Sequence, residues 1–263
     1  MKKVLWGILV LTALLTACGD GGAMPTGLPP ATTATTQPTV PATVPPTQPT
    51  EPPTQPTEPQ IIAPAALESM LAARGSHLDE LKQLGCTQLI TVSCEGNFAQ
   101  IDLYILENYQ WVLQEALSCS GRIGSNGATD QKREGDMATP RGLYPITQAF
   151  YIHEEPQTGL PVFQITDDTY WVDDPTSVYY NKRIEGTENK DWSSAERMIR
   201  YDTAYEYGFV VDYNVEAIPH AGSAIFFHIG SGTTAGCIAT ERDFVLQYLA
   251  ILDGAQNPYI LIQ

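Results

Sequence analysis

The chain has 263 residues, with 14 lysines and arginines against 30 aspartates and glutamates, so its formal net charge is −16. That length is enough for one sizeable domain with appended segments. A strongly acidic surface does not bind nucleic acid or anionic lipid through charge, because both are polyanions. We therefore expect no nucleic-acid partner, and we interpret the charge as a contribution to solubility, with a basic partner as the alternative.

The first 18 residues have the layout of a bacterial lipoprotein signal. Residues 1–3 (Met-Lys-Lys) are basic, residues 4–15 are apolar but too short to span a bilayer, and Leu-Thr-Ala-Cys at 15–18 matches a lipobox. This pattern predicts a signal peptide at residues 1–17, cleavage before Cys18 and a lipid on the Cys18 sulfur. The mature protein would then lie outside the cytoplasm in the cell envelope, anchored to the membrane by that lipid. An ordinary secretory signal with an incidental cysteine is the alternative.

Residues 18–60 are rich in proline and threonine and contain few apolar side chains. Such a segment is predicted to be disordered, because it cannot form a core, and its proline density favours extended polyproline II. A tether of this length reaches on the order of 100 Å at roughly 3.1 Å per residue. It would allow an anchored domain to work some way into the cell wall, although a spacer of untuned length fits the composition equally well.

Residues 61–84 have apolar residues at helical spacing with a Gly-Ser break, which predicts two short helices, the second capped by Ser76. From residue 87 the pattern changes to strands. The Glu-Gly-Asn sequence between two of them is a good hairpin signal. The expected strands are 88–92, 99–105, 109–117, 149–153, 161–165, 169–172, 207–213, 222–228 and 258–262. Many short strands with few helices predict a mainly β, sandwich-like domain over residues 85–263.

Residues 128–200 combine many aromatic side chains with aspartates at 167, 168, 173 and 174. Exposed rings beside acids would suit a sugar-binding platform, and clustered aspartates would suit calcium. We favour packing of the rings within a β-sandwich over a sugar platform. A calcium site is disfavoured because the aspartate spacing fits no established calcium loop.

Five cysteines occur, at positions 18, 86, 94, 119 and 237. If Cys18 is lipidated and Cys237 stays a thiol, at most one disulfide can form among Cys86, Cys94 and Cys119. An envelope location permits oxidation without requiring it, so all three could equally be packed thiols.

The most informative stretch runs from residue 224 to 239. An apolar run ends in His228, a loop of small residues follows, and Cys237 stands nine residues after the histidine. A thiol needs a neighbouring base to become a strong nucleophile, and a strand followed by a tight return would supply that pair. Gly236 leaves room for a substrate and, with Cys237, offers backbone N–H groups to an oxyanion.

A helix is expected directly after this cysteine. Residues 240–243 (Thr-Glu-Arg-Asp) have the form of a capping box with Thr240 as the N-cap, and apolar residues then recur at helical spacing. The partial positive charge at the helix N-terminus would lower the pKa of the Cys237 thiol. The alternative is that Cys237 is a small buried hydrophobe and His228 a satisfied core residue.

Three motifs carry a family resemblance. They are Gly-Asp-Met-Ala-Thr-Pro-Arg-Gly-Leu-Tyr-Pro-Ile at 135–146, Gly-Phe-Val-Val-Asp-Tyr-Asn at 208–214 with Gly-Ser-Ala-Ile-Phe at 222–226, and Thr-Ala-Gly-Cys-Ile-Ala at 234–239. In this order they resemble the L,D-transpeptidase (YkuD-type) catalytic domain, over about residues 85–263. The chain departs from many members in having Ala239 where they carry arginine, and in its short His-to-Cys spacing.

The resemblance implies an L,D-transpeptidase acting on peptidoglycan stem peptides, with no metal or organic cofactor. His228 would be the general base and Cys237 the nucleophile that attacks the carbonyl of the third-position diamino acid. The N–H groups of Gly236 and Cys237 would bind the oxyanion. D-Alanine would leave, and an amine of a second stem would take the thioester, giving a 3–3 cross-link.

The resemblance also points to residues near the substrate. Thr234 stands at the Ser/Thr position of the motif and would orient the loop or contact the substrate, while Tyr213 and Asn214 would line the cleft. Residues 179–181 and 192–196 resemble one branch of the family and would shape that cleft. His220 is a second candidate base, but a strand of eight residues would place it roughly 26 Å from His228.

Three other functions stay open at this point. Water in place of the acceptor amine would give an L,D-carboxypeptidase. A cysteine protease or amidase would keep the chemistry but act on another peptide. A non-catalytic wall-binding lipoprotein would have Cys237 buried or in a disulfide.

Overall fold

The structure of the chain is a computed structural model that describes residues 59–263. The predicted signal peptide, Cys18 and almost all of the proline-rich segment lie outside the described residues. Within the described part, no helix has the length and apolar character needed to cross a bilayer.

Most of the described chain that has regular structure is in β-strands. The strands are β1 Gln88–Glu95, β2 Phe98–Glu107, β3 Gln110–Leu113, β4 Cys119–Arg122, β5 Ala128–Thr129, β6 Thr139–Pro140, β7 Gly142–Pro145, β8 Ala149–Tyr151, β9 Val162–Gln164, β10 Thr169–Val172, β11 Arg183–Glu185, β12 Ala195–Arg197, β13 Tyr207–Val210, β14 Phe226–Ile229, β15 Ile238–Thr240 and β16 Tyr259–Ile262. The helices are α1 Ala65–Ala73, α2 Leu78–Gln83 and α3 Arg242–Ile251, with 3-10 turns at Glu115–Leu117, Met198–Tyr201 and Gly254–Gln256.

One mixed sheet organises the fold. It has eleven strands in the order β7-β16-β1-β2-β4-β15-β14-β13-β8-β9, with β3 paired to β2. The pairs β1–β16, β8–β9 and β14–β15 are parallel. A three-stranded sheet, β11-β10-β12, and the short pair β5-β6 complete the strands of residues 59–263. The predicted fold class, mainly β with a few short helices, is confirmed.

The first hairpin forms as its sequence predicts. Gly96 supplies the positive φ, +58°, that the turn between β1 and β2 needs. Residues of one face then pair across the strands, with Ile90 opposite Leu103 and Val92 opposite Ile101, and all four are buried. Their burial fixes the register, because a slip of one residue would expose this whole face.

The strand predicted at 222–228 is shorter than its sequence indicates. Ala224 has φ +52°, which takes the chain out of extended conformation, so β14 begins only at Phe226. The prediction over 109–117 is similarly too long, because β3 ends at Leu113 and a 3-10 turn follows.

Both predicted helix caps are wrong. Thr240 ends β15, and its hydroxyl donates to the carbonyl of Ser120 across the sheet, so Glu241 takes the N-cap position of α3 without a capping side-chain bond. At α2 the N-cap is His77, not Ser76, and it makes no side-chain cap either. Cross-strand pairing therefore outcompetes the local capping pattern at Thr240.

Helix α3 covers the main core. Val245, Tyr248 and Leu249 on its inner face are buried, and the Tyr248 ring contacts Phe227 edge-on at 5.5 Å. The Tyr248 hydroxyl donates to the carbonyl of Leu117 at 2.7 Å. This packing fixes β14, and with it the histidine at position 228, against the centre of the domain.

The four cysteines of the described residues are all free thiols. Cys86 and Cys119 are buried, and Cys94 is half-buried. The single disulfide that the count allowed among these three does not form, and packing accounts for them instead.

Candidate active site

Two neighbouring parallel strands carry the predicted pair. In the register of β14 and β15, Phe227 stands opposite Ile238 and His228 opposite Ala239. Cys237 directly precedes β15, so it lies beside Phe226 and two positions from His228 along the sheet. With a strand spacing of ~4.8 Å and a rise of ~3.3 Å per residue, that offset places the two Cα atoms about 8 Å apart.

The loop between the strands is held at its middle. The Thr234 N–H donates to the carbonyl of Ile123 at 3.0 Å, and the Thr234 carbonyl accepts from the N–H of Ser125 at 2.9 Å. The Thr234 hydroxyl donates to the Cys237 carbonyl at 2.6 Å. These bonds set the turn that returns the chain to the start of β15 and places the cysteine.

His228 and Cys237 line the same cavity, whose volume is about 510 Å³. His228 is 9% exposed and Cys237 is 6% exposed. Charged and polar groups from distant parts of the chain also line it: Lys132, Glu134, Asp173, Glu196, Tyr205 and Ser223. The sequence motif around 224–239 thus provides one wall, and β12 and other loops provide the rest.

The imidazole of His228 is oriented as a base. Its Nδ1 lies 2.9 Å from the carbonyl oxygen of Ile229, a contact that requires the proton on Nδ1 and leaves Nε2 as the acceptor. The ring packs edge-on against Tyr205, with centroids 5.3 Å apart. Burial lowers the pKa of His228 below its ordinary value, so the ring is neutral at neutral pH.

Cys237 is a neutral thiol in this structure. Its sulfur donates to the carbonyl of Ala224 and accepts from the N–H of Phe226, both at 3.3 Å, and no hydrogen bond joins it to His228. Burial raises the pKa of the Cys237 thiol to about 12; the Glu196 carboxylate adds to this rise, and the N–H of Phe226 and the charge of Lys132 oppose it. The expected lowering by a helix N-terminus is wrong, because β15 separates Cys237 from α3.

Gly236 and Thr234 hold each other. The N–H of Gly236 donates to the Thr234 hydroxyl at 3.1 Å, so the donor predicted for the oxyanion is engaged within the loop. Gly236 has φ +152°, and a Cβ there would lie 3.0 Å from the carbonyl oxygen of Ala138. Glycine is therefore required here by conformation and by space, and its part in an oxyanion hole stays a prediction.

Tyr213 and Asn214 are not among the residues that line this cavity, and their contact with a substrate stays a prediction. The Tyr213 hydroxyl donates to the carbonyl of Ala221 at 2.6 Å, and the Asn214 amide donates to the carbonyl of Gly222 at 2.8 Å. They close the loop that leads to Ser223 and Ala224, which do reach the cavity. His220 lies in that loop, exposed and outside the cavity lining.

The sequence assigned no individual role to the acids of the cavity: Glu134 was not singled out, and Glu196 belongs to the 192–196 stretch that was expected to shape the cleft. Glu134 accepts from the hydroxyls of Tyr180 at 2.5 Å and Ser223 at 2.8 Å. Glu196 accepts from the hydroxyl of Tyr205 at 2.8 Å, and burial raises the pKa of this carboxyl to about 7. Glu196 ends the 192–196 stretch and Glu134 directly precedes the Gly-Asp motif, so proximity to those motifs was the available signal.

The aromatic middle segment is largely packed. Trp171, Tyr180 and Trp192 are buried, in agreement with the packing interpretation and against a sugar platform built from these rings. Asp174 is also buried and accepts hydrogen bonds from Thr176 and Ser193. Across the described residues no group of three or more His, Cys, Asp or Glu side chains is arranged to hold a metal ion.

A curled β fold with a cysteine and a histidine facing one cavity is typical of an acyl-transfer enzyme. The sequence model of the YkuD family, the L,D-transpeptidase catalytic domain, matches residues 101–256, which is more than half of the chain. The chain belongs to this family. Its members act on peptidoglycan peptides.

No curated protein matches the chain. Among solved structures it is similar to the helical cell shape determining protein Pgp2 from Campylobacter jejuni, with 15% identity and a TM-score of 0.37 over 67% of this chain and 47% of that one. The K307A mutant of Pgp2 gives 14% identity and a TM-score of 0.36 over the same shares. The chain therefore spans about half the length of these proteins, and likeness at this level supports no further statement about it.

Proposed function

We propose that the protein is a peptidoglycan L,D-transpeptidase that forms 3–3 cross-links through an acyl-enzyme on Cys237. The observation that carries the proposal is the shared cavity of Cys237 and His228 within a domain of the L,D-transpeptidase family. His228 lies on β14 and Cys237 directly precedes the adjacent parallel strand β15, and Phe226, which stands beside Cys237 in that register, belongs to the same cluster of buried side chains.

The reaction starts from two neutral groups. The Cys237 proton leaves the carbonyl of Ala224 and turns to Nε2 of His228, and the sulfur attacks the carbonyl carbon of the third-position residue of the donor stem. The proton then passes from His228 to the amine of the departing D-alanine, and a thioester remains on Cys237. General-base assistance of this kind is worth about 10²–10⁴-fold in rate.

The second half resolves the thioester. An amine of an acceptor stem attacks its carbonyl, His228 takes the proton released from that amine, and the thiol of Cys237 is restored with the same proton. The product is a 3–3 cross-link. Water in place of the amine would release a tripeptide stem, which is the carboxypeptidase alternative.

A non-catalytic wall-binding role is the second candidate, and a specific observation favours it. The Cys237 sulfur is buried and already bonded to the backbone of Ala224 and Phe226, with a pKa of about 12. A thiol held in that way and never turned towards His228 would be inert.

Location follows from the N-terminal sequence. We propose that a lipid on Cys18 anchors the protein to the membrane and that the proline-rich segment extends the catalytic domain towards the wall. Metabolic labelling with a fatty-acid analogue is expected to mark the wild type and to fail for Cys18→Ala; labelling that persists would contradict the anchor.

The activity is tested with the full-length protein in detergent and purified tetrapeptide muropeptides. We expect 3–3 dimers in the product mass spectrum of the wild type and of Cys94→Ala, a matched thiol outside the cavity, and none for Cys237→Ala. An acyl adduct should appear on the peptide that contains Cys237. Tripeptides without dimers would indicate a carboxypeptidase, and absence of any product would favour the binding role.

A further inference from the structure

The Lys132 side chain packs against two glycines, Gly222 and Gly236, and lines the cavity. A Cβ at Gly222 would lie 2.9 Å from Cγ of Lys132 and 3.0 Å from its Cε. A Cβ at Gly236 would lie 3.4 Å from the Lys132 ammonium nitrogen. Both glycines have positive φ, so the space that the lysine occupies is kept free of side chains on either side.

The Lys132 ammonium group is fixed by two hydrogen bonds. The Lys132 side chain is 5% exposed, and its Nζ donates to Oδ1 of Asp136 at 2.5 Å and to the carbonyl of Arg133 at 3.1 Å. Asp136 is itself fixed by the N–H groups of Arg133 and Ala138. An ammonium group has three N–H donors, so one remains after these two bonds.

The positive end of this ion pair lies at the cavity. Lys132 lines the cavity that contains Cys237, whereas Asp136 does not. Of the residues that line the cavity, Lys132 is the single lysine or arginine, while His228 is neutral near pH 7 and Glu134, Asp173 and Glu196 are acids. The N–H of Gly236, which was expected to donate to the oxyanion, already donates to the Thr234 hydroxyl.

Acyl transfer must place negative charge on a sulfur that is buried and close to carboxylates. A fixed positive charge in a water-poor site stabilises such charge far more than it would in water. We propose that Lys132 is the electrostatic partner of Cys237 and stabilises the negative charge that develops on its sulfur when the thiol is deprotonated. This proposal deepens the proposed function, since it assigns a role at the same site.

Alkylation of Cys237 by iodoacetamide tests this role without any wall peptide. The rate at Cys237 is followed from pH 7 to 9, a range in which lysine side chains carry their charge, by mass spectrometry of the labelled peptides. In Lys132→Met the profile is expected to move to higher pH by about one unit, which is about tenfold slower labelling at each pH below the thiol pKa. Lys182→Met is the matched control, because that lysine bonds only the nearby carbonyl of Val178, and its profile should not move.

A second variant separates charge from structure. Asp136→Asn removes the negative charge behind the ammonium group, so its profile is expected to move to lower pH, in the opposite direction. A purely structural role predicts shifts in the same direction for both variants. Thermal unfolding identifies a variant that does not fold. If Lys132→Met fails to fold, the direction in which the alkylation profile of Asp136→Asn moves decides between the electrostatic and the structural role.

Three results would overturn the proposal: an unchanged profile in a folded Lys132→Met, parallel shifts in both variants, or a shift of Asp136→Asn to higher pH. Failure of the proposed function is separate, because it would show as absence of cross-linked product while the alkylation profiles still respond to Lys132.

Discussion

Cys119 and Cys237 are almost equally buried, at 7% and 6% exposed, yet their surroundings differ. The Cys119 sulfur lies 3.5 Å from the Thr240 hydroxyl and 3.7 Å from the Tyr248 hydroxyl, inside the core beneath α3. Burial raises the pKa of both thiols. The difference is that Cys237 faces a cavity shared with an imidazole and an ammonium group, so the groups opposite a thiol, rather than its burial, distinguish a candidate nucleophile from a packed residue.

Replacing each cysteine by alanine, which removes the sulfur, is expected to give the largest difference between the two sites. Cys237→Ala is expected to reduce cross-linking by about 10³-fold or more, because the covalent intermediate cannot form. Cys119→Ala is expected to keep the activity and to lower the free energy of unfolding by about 1 kcal/mol. Product analysis and urea denaturation measure the two effects. Comparable activity of the two variants would exclude Cys237 as the nucleophile.

The second-largest effect is expected from replacing His228, the proposed base. His228→Gln is expected to slow acylation by about 10²–10⁴-fold while leaving the alkylation of Cys237 at high pH nearly unchanged, since excess hydroxide then replaces the base. In the wild type, acylation should fall only below the ordinary imidazole pKa of 6.5, because burial moves the pKa of His228 down.

The same shift affects stability with a defined sign. The folded state favours the neutral imidazole more than the unfolded chain does, so the contribution of His228 to the free energy of unfolding is complete above pH 6.5 and is lost as the pH falls below it.

An acylation rate that already declines at pH 7.5 would contradict the assignment of a lowered pKa to His228.

Gly236→Ala tests whether the loop between β14 and β15 requires glycine at this position. The new methyl group would press against the carbonyl oxygen of Ala138 at 3.0 Å in a backbone conformation that alanine resists, which should cost about 1–3 kcal/mol. Gly232→Ala in the same loop is the control, because a Cβ there meets nothing within 4 Å. Chemical denaturation of both variants provides the comparison, and equal stabilities would argue against the conformational requirement at Gly236.

The smallest expected effect concerns the core around Cys119. Tyr248→Phe removes the hydroxyl that donates to the carbonyl of Leu117, which should lower the free energy of unfolding by about 1–2 kcal/mol without changing turnover. Tyr179→Phe, at a half-buried ring, is expected to change it by less than about 0.5 kcal/mol. A loss of activity in Tyr248→Phe would show that this core and the cavity are not independent.

The sequence predicts best where a signal is local. The Glu-Gly-Asn turn identifies the β1–β2 hairpin, and the apolar run before His228 identifies β14, because alternation and turn chemistry act over a few residues. The capping pattern at Thr240 is equally local but fails, since pairing of β15 with β14 and β4 extends the strand through that threonine.

The cavity could not be predicted in the same way. Lys132 comes from the loop after β5 and Glu196 from β12, both distant from Cys237 along the chain, and only the fold brings them to the same cavity. The direction of the Cys237 pKa shift also depends on burial, which the motif does not encode. The residues of the motif were therefore found, whereas their electrostatic environment was not.

The bonds of Thr234 to Ile123 and Ser125 have a consequence for how this site can vary. They pin an eight-residue return between two parallel strands, Gly230 to Cys237, to the chain that leaves β4. An added residue between Thr234 and Cys237 would break the bonds of the Thr234 hydroxyl to the Cys237 carbonyl and the Gly236 N–H and displace the sulfur, whereas one among the exposed residues 231–233 would leave them intact. Changes of length are thus more tolerable at the exposed start of this return, while the segment from Thr234 to the thiol has little freedom to drift.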